Sequence, residues 1–183
     1  MVRTRTRNYP NTYPVKRRRA MGAATARKLA RLRTPEVKRK DFTSPFLTSG
    51  VGLVTQIVPV QGDDGDDFIG NKCHLERVDT SCVIGAEQAI RLTVLMPKDP
   101  SSAPTPLTGT ARYTEDQFVI LYDELISPTG NNMCARRKVN VNRYCEYSSA
   151  QSSTPIKGNL YVCWNTTANT TMQTRTRLYF TDN

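Results

Sequence analysis

The sequence predicts an all-β domain of eight antiparallel strands, folded as a two-sheet sandwich or jelly roll and preceded by a basic N-terminal arm. Two observations lead there. Beyond Phe42, runs rich in Val, Ile, Thr, Tyr and Phe alternate with clusters of Gly, Pro, Asn, Asp and Ser, the pattern of strands and turns. Before residue 41, arginine and lysine dominate and core-forming residues are sparse. With 183 residues the chain has enough apolar side chains for one core and is short for two, so one folded domain, 41–183, is expected after an arm of residues 1–40.

The arm is defined by charge. It holds 14 cations (Arg3, Arg5, Arg7, Lys16, Arg17, Arg18, Arg19, Arg27, Lys28, Arg31, Arg33, Lys38, Arg39 and Lys40) and one acid, Glu36, for a net +13. The whole chain has 26 basic and 16 acidic residues, so 12 and 15 remain beyond residue 40, a net charge of −3. Such a block repels itself and should stay disordered until a polyanion neutralises it. Each cation that meets a phosphate releases counterions, which makes binding salt-dependent and tolerant of sequence. All 14 cations are therefore candidate nucleic-acid contacts, and Tyr9 and Tyr13 are placed to stack on unpaired bases. Tyr9-Pro10 and Tyr13-Pro14 favour extended backbone. Residues 20–33 are rich in Ala, Leu, Arg and Lys and predict a short helix that forms once phosphate screens its charge, ending at Thr34-Pro35.

The strands follow in order. Gly52 to Val60 is the first, and the acidic turn Gln61 to Gly70 follows it. Lys72 to Ile84 and Gln88 to Met96 are joined by Gly85-Ala86-Glu87 and read as a hairpin. The four prolines of 97–110 make that stretch a loop. A weak strand is expected at Ala111 to Thr114. Gln117 to Ser127 is nearly continuous apolar and reads as a strand buried on both faces. Arg137 to Tyr147 alternates, with Val139, Val141, Arg143 and Cys145 on one side. Ser148 to Gly158 is loop, Asn159 to Thr166 is strand, and Met172 to Thr181 closes the chain with Thr176, Leu178 and Phe180 opposite Arg175, Arg177 and Tyr179. Long, uneven connections favour a sandwich or jelly roll over an up-and-down barrel.

Little else carries chemistry. The one histidine, His74, lies mid-strand beside Cys73 and reads as structural or hydrogen-bonded, and no triad, phosphate loop or Gly-x-Gly-x-x-Gly is present, so no enzyme activity and no cofactor are expected. Cys73, Cys82, Cys134, Cys145 and Cys163 form no Cys-x-x-Cys pair and read as reduced, mostly buried thiols rather than a zinc site. Asp63, Asp64, Asp66 and Asp67 lack the register of a calcium loop and read as an exposed acidic turn, with a cation shared between subunits as the alternative. Asn165-Thr166-Thr167 and Asn169-Thr170-Thr171 match the glycosylation pattern, but without a secretory signal they read as a polar turn. No apolar run is long enough to span a membrane.

The order of a basic arm, Gln61-Gly62-Asp63 leading to Ile69-Gly70-Asn71-Lys72, then Arg91-Leu92-Thr93-Val94-Leu95-Met96, a Pro-rich loop, Phe118-Val119-Ile120-Leu121-Tyr122-Asp123 and the terminal Thr176-Arg177-Leu178-Tyr179-Phe180 resembles the capsid proteins of small circular single-stranded DNA viruses. It is also similar to the coat protein of satellite tobacco necrosis virus. The resemblance implies an eight-stranded viral jelly roll in a closed icosahedral shell of about sixty copies, with the arm inward on the genome. Sixty arms would carry ~780 positive charges, enough to offset a like number of phosphates. DNA is the favoured genome, although the short domain also suits an RNA satellite. Lys16 to Arg19 also reads as a signal for nuclear import receptors, on the condition that a DNA genome replicates in the nucleus. A rival of another class is a monomeric nucleic-acid-binding module of ribosomal or chromatin type, which predicts a basic patch on the folded domain as well.

Overall fold

The computed structural model describes residues 36–44, 47–49, 52–60, 70–127, 134–148, 155–167 and 170–182, all within a folded unit that spans 36–183. Ten strands run in order: β1 (Val37–Thr43), β2 (Leu47–Ser49), β3 (Leu53–Gln56), β4 (Lys72–Ile84), β5 (Ile90–Pro97), β6 (Phe118–Ile126), β7 (Cys134–Tyr147), β8 (Pro155–Lys157), β9 (Tyr161–Thr166) and β10 (Thr170–Asp182). They form two antiparallel sheets. One has the order β1-β10-β4-β7-β8, with β2 added against β10, and the other has the order β3-β9-β5-β6.

The pairing of the long strands is nested. β1 pairs with β10, β3 with β9, β4 with β7 and β5 with β6, so the first long strand meets the last and the middle two meet each other. A long hairpin rolled over on itself produces this order, and the result is the jelly roll expected from the sequence. The core lies between the sheets. Leu75, Val78, Leu178 and Phe180 of the first pack toward Leu92, Val94, Val162 and Trp164 of the second, and all are essentially inaccessible. One polar chain crosses it: the Trp164 indole N–H donates to Thr80 Oγ1 at 3.2 Å, and Thr80 shares a 2.8 Å hydrogen bond with Thr176. A buried indole N–H and two buried hydroxyls thus satisfy one another.

Four expectations are revised. Lys72–Ile84 and the strand after it are not a hairpin, because β4 lies between β10 and β7 while β5 lies between β9 and β6 in the other sheet. Both strands carry an apolar face, and crossing at Gly85 stacks these faces across the core, whereas a hairpin would set them side by side. β6 is not buried on both faces. It is the edge of its sheet, and Val119 and Leu125 are 38% and 46% exposed. Ala111 to Thr114 forms no strand, and residues 57–60 follow β3 without regular structure.

Three strands are additions: β1 inside the charged segment, β2, and β8 inside the expected loop 148–158. β1 alternates exposed and half-buried positions along its length, the period of a strand at a sheet edge. Within β7, Val139, Val141 and Cys145 are buried as expected, but Arg143 is exposed. The ladder shifts register there, and Asn142 adopts φ 46°, so one extra residue of β7 is absorbed in a bulge that interrupts the alternation at Arg143, after which it resumes with Cys145 and Tyr147 buried. Gly158 at φ 78° follows β8, and a Cβ there would lie 2.2 Å from the Tyr144 carbonyl oxygen. Only glycine fits that corner.

Candidate nucleic-acid interface

The 11 candidate cations from Arg3 to Arg33 lie outside the described residues, as do the helix expected at 20–33 and the acidic turn 63–67. Lys38, Arg39 and Lys40 lie in β1, so the boundary expected after residue 40 falls within a strand. They do not share a face. Arg39 is exposed and stands opposite Tyr179, whereas Lys38 and Lys40 stand opposite Phe180 and Leu178 on the other face. The Lys38 ammonium is 2.9 Å from an Asp182 carboxylate oxygen and is only 11% exposed. It fastens the edge strand to β10.

Cross-strand register puts further cations beside Arg39. Residues directly opposite in an antiparallel ladder point to the same side, and three rows run across the sheet from β1 through β10 and β4 to β7. They are Thr43, Arg175, Ser81, Arg136; Asp41, Arg177, Asp79, Lys138; and Arg39, Tyr179, Arg77, Asn140. This is the face turned away from the core, since Thr174, Thr176 and Leu178 of β10 are buried while Arg175 is exposed. It carries six cations and two acids, and the first two rows line a shallow cleft of about 570 Å³.

The acids are already engaged. Arg177 grips Asp41 with two hydrogen bonds, of 2.5 and 2.8 Å, and this guanidinium holds the Asp41 carboxyl below its ordinary pKa. Arg77 bridges to Asp79 at 2.8 Å and lies 4.1 Å over the Tyr179 ring. Arg136, Lys138 and Arg175 are exposed and have no carboxylate partner among the described residues. The face therefore presents uncompensated positive charge on a rigid scaffold.

The sequence reading missed this surface. A net charge of −3 beyond residue 40 argues against a basic patch on the domain, but a sum does not record which face each charge occupies. The one signal was the set of arginines opposite Thr176, Leu178 and Phe180 in the last strand. The patch expected of the rival binding module is thus present.

Other features fall into place around the core. His74 Nε2 is hydrogen-bonded to Asn142 Oδ1 at 2.9 Å and its ring lies 4.9 Å from that of Tyr144, the hydrogen-bonded role expected. Cys73, Cys82, Cys145 and Cys163 are buried and Cys134 is exposed, and burial pushes the Cys82 and Cys163 thiols up to about 12. Asn165 and Thr166 lie within β9 rather than in a turn, and Asn165 is fully buried, so its amide is closed to glycosylation in the folded chain. Among the described residues no group of three His, Cys, Asp or Glu side chains is placed to hold a metal, and no helix is long and apolar enough to cross a membrane.

No family model and no curated protein matches the chain. Among solved structures it is similar to a chain of infectious bursal disease virus, Gt strain, with 10% identity and a TM-score of 0.30 over 82% of this chain and 34% of that one. A chain of the Gx strain gives 10% identity and a TM-score of 0.29 over 80% and 32%. The chain spans about a third of the length of these two proteins.

Proposed function

We propose that the chain is the coat protein of a small virus, which assembles through its jelly roll into a closed icosahedral shell and packages single-stranded nucleic acid, DNA by preference, on its basic arm. The observation that carries this reading is the union of two parts: a jelly roll, and a segment of net charge +13, residues 1–40, that reaches into its first strand. A sandwich with a dry core is a rigid tile, and repeated contacts between identical tiles close by symmetry. A run of clustered cations meets phosphates without fixed geometry. On this reading the chain is not an enzyme, its partners are its own copies and a genome, it resides in the virion, and Lys16 to Arg19 serves nuclear entry where the genome is DNA.

Negative-stain microscopy of the purified protein tests assembly. Uniform spheres are expected, and monomers at every salt and protein concentration would remove the proposal. Deletion of residues 1–35, which spares β1, is expected to yield particles that no longer hold the full-length genome; its retention by that variant would refute the role of the arm. A second reading, a monomeric nucleic-acid-binding module, gains support from the basic sheet face. It predicts binding without particles, so the same micrographs separate the two.

A further inference from the structure

We propose that the exposed face of the β1-β10-β4-β7 sheet is a second phosphate-binding surface, on which Arg136, Lys138 and Arg175 hold the backbone of single-stranded nucleic acid. The inference rests on the packaging reading above and adds a structured contact distinct from the arm. Three features of the face support it. Its acids are consumed locally, Asp41 by Arg177 and Asp79 by Arg77, so a polyanion meets no free carboxylate in these rows. Of its four remaining cations Arg39 lies in β1, and the other three, all exposed, stand at fixed positions on the two strands flanking β4. They also line one cleft, together with Thr43 and Ser81, whose hydroxyls are suited to phosphate oxygens.

The spacing is set by the sheet. Arg136 and Lys138 are two residues apart on one strand, about 7 Å, and Arg175 lies across β4 from Arg136, about 10 Å away. A chain of phosphates lying in the cleft therefore meets charge on both banks. The rows present cations and hydroxyls rather than an array of amide groups aimed at base edges, so the contact is independent of sequence. Negative protein surfaces are the other class of partner for such a face, and the experiment distinguishes them.

The test measures binding of the full-length chain to fluorescein-labelled oligodeoxythymidine of about 30 nucleotides by anisotropy, from about 0.05 to 0.4 M NaCl. In the triple variant R136A/K138A/R175A the slope of log affinity against log salt should fall in magnitude by about 2, and affinity at about 0.2 M should drop roughly tenfold, because single strands release about 0.7 counterion per contact. Charge-preserving R136K/K138R/R175K should restore the slope, which separates loss of phosphate contacts from loss of fold. K98A/R112A, which removes charge from the loop between β5 and β6, should keep the wild-type slope. An unchanged slope in the triple alanine variant overturns the inference and leaves the arm intact as the packaging element. Loss of particles at an unchanged slope also overturns it, since the face would then join copies of the chain. Failure of the wild-type chain to bind the oligonucleotide would remove the packaging reading itself.

Discussion

The outer faces of the two sheets differ in what covers them. In the β3-β9-β5-β6 sheet, every residue of β9 is buried and all of β5 but its last, because the core lies on one side and the segment between β5 and β6 lies over the other. There Tyr113 packs edge-on to Phe118 with ring centroids 5.4 Å apart, its hydroxyl donates to the Thr105 carbonyl at 2.8 Å, and Leu95, Tyr161 and Cys163 form a second, smaller cluster. In the β1-β10-β4-β7 sheet the corresponding side is open to water, and β10 alternates buried with accessible positions through most of its length. The two central strands of one sheet are dry on both sides and largely apolar, and Arg91 and Thr93 among them are paired with Asp123 of β6. The other sheet is dry on one side, and its wet side is free to carry charge.

This contrast is testable by substitution. The largest effect is expected for Cys163→Lys, which places an unpaired ammonium beneath the segment that covers the dry sheet and should cost about 4 kcal/mol or prevent folding. Loss of less than about 1 kcal/mol in chemical denaturation would show that the covering segment leaves room for water. Next, Tyr113→Ala removes half of the ring pair and should cost about 2 kcal/mol, with amide exchange accelerating in β9 and β5 before β10.

A smaller effect tests the rim where the sheets meet. Arg137 of β7 grips Glu124 of β6 through bonds of 2.5 and 2.8 Å, Tyr122 donates to the same carboxylate, and the guanidinium beside it brings the Glu124 carboxyl down to about 2. Both side chains are 34% exposed, so Arg137→Ala should cost about 1 kcal/mol at neutral pH. A depressed folded value means that this contribution is complete above about pH 4.5, where an unfolded glutamate is ionised, and is lost as pH falls toward 2. The stability gap between wild type and Arg137→Ala should therefore close on acidification, and a gap that widens below pH 4 would contradict the latch. The smallest effect sharpens the comparison from the wet side: Val83→Lys, at a position 45% exposed on the open face, should stay within about 0.5 kcal/mol of wild type.

Much of the fold was legible because one-sided burial writes itself into alternation. β10 and most of β7 follow it, and their inward residues are those expected from period two. β1 was hidden for the opposite reason. Val37–Thr43 alternates too, but Lys38, Arg39 and Lys40 look like arm until pairing with β10, some 140 residues away, sets Asp182 against Lys38 and Arg177 against the neighbouring Asp41. The turn after β4 was ambiguous because three residues serve equally to close a hairpin or to step between layers. β6 looked doubly buried because an apolar run does not state how many neighbours its strand has. The site divided in the same way: the arm is visible as a run of charge, whereas the sheet face gathers Arg77, Arg136, Lys138 and Arg175 from three strands, and register alone makes them neighbours.

By itself the sequence determined that the chain ends in an all-β body and begins in a cationic leader, since side-chain period and charge density are local properties. Tertiary structure decided which strands share a sheet, which face stays wet, and where the body's own cations collect. Those outcomes depend on pairing across distances that no window of sequence spans, and on the burial of one apolar face against another.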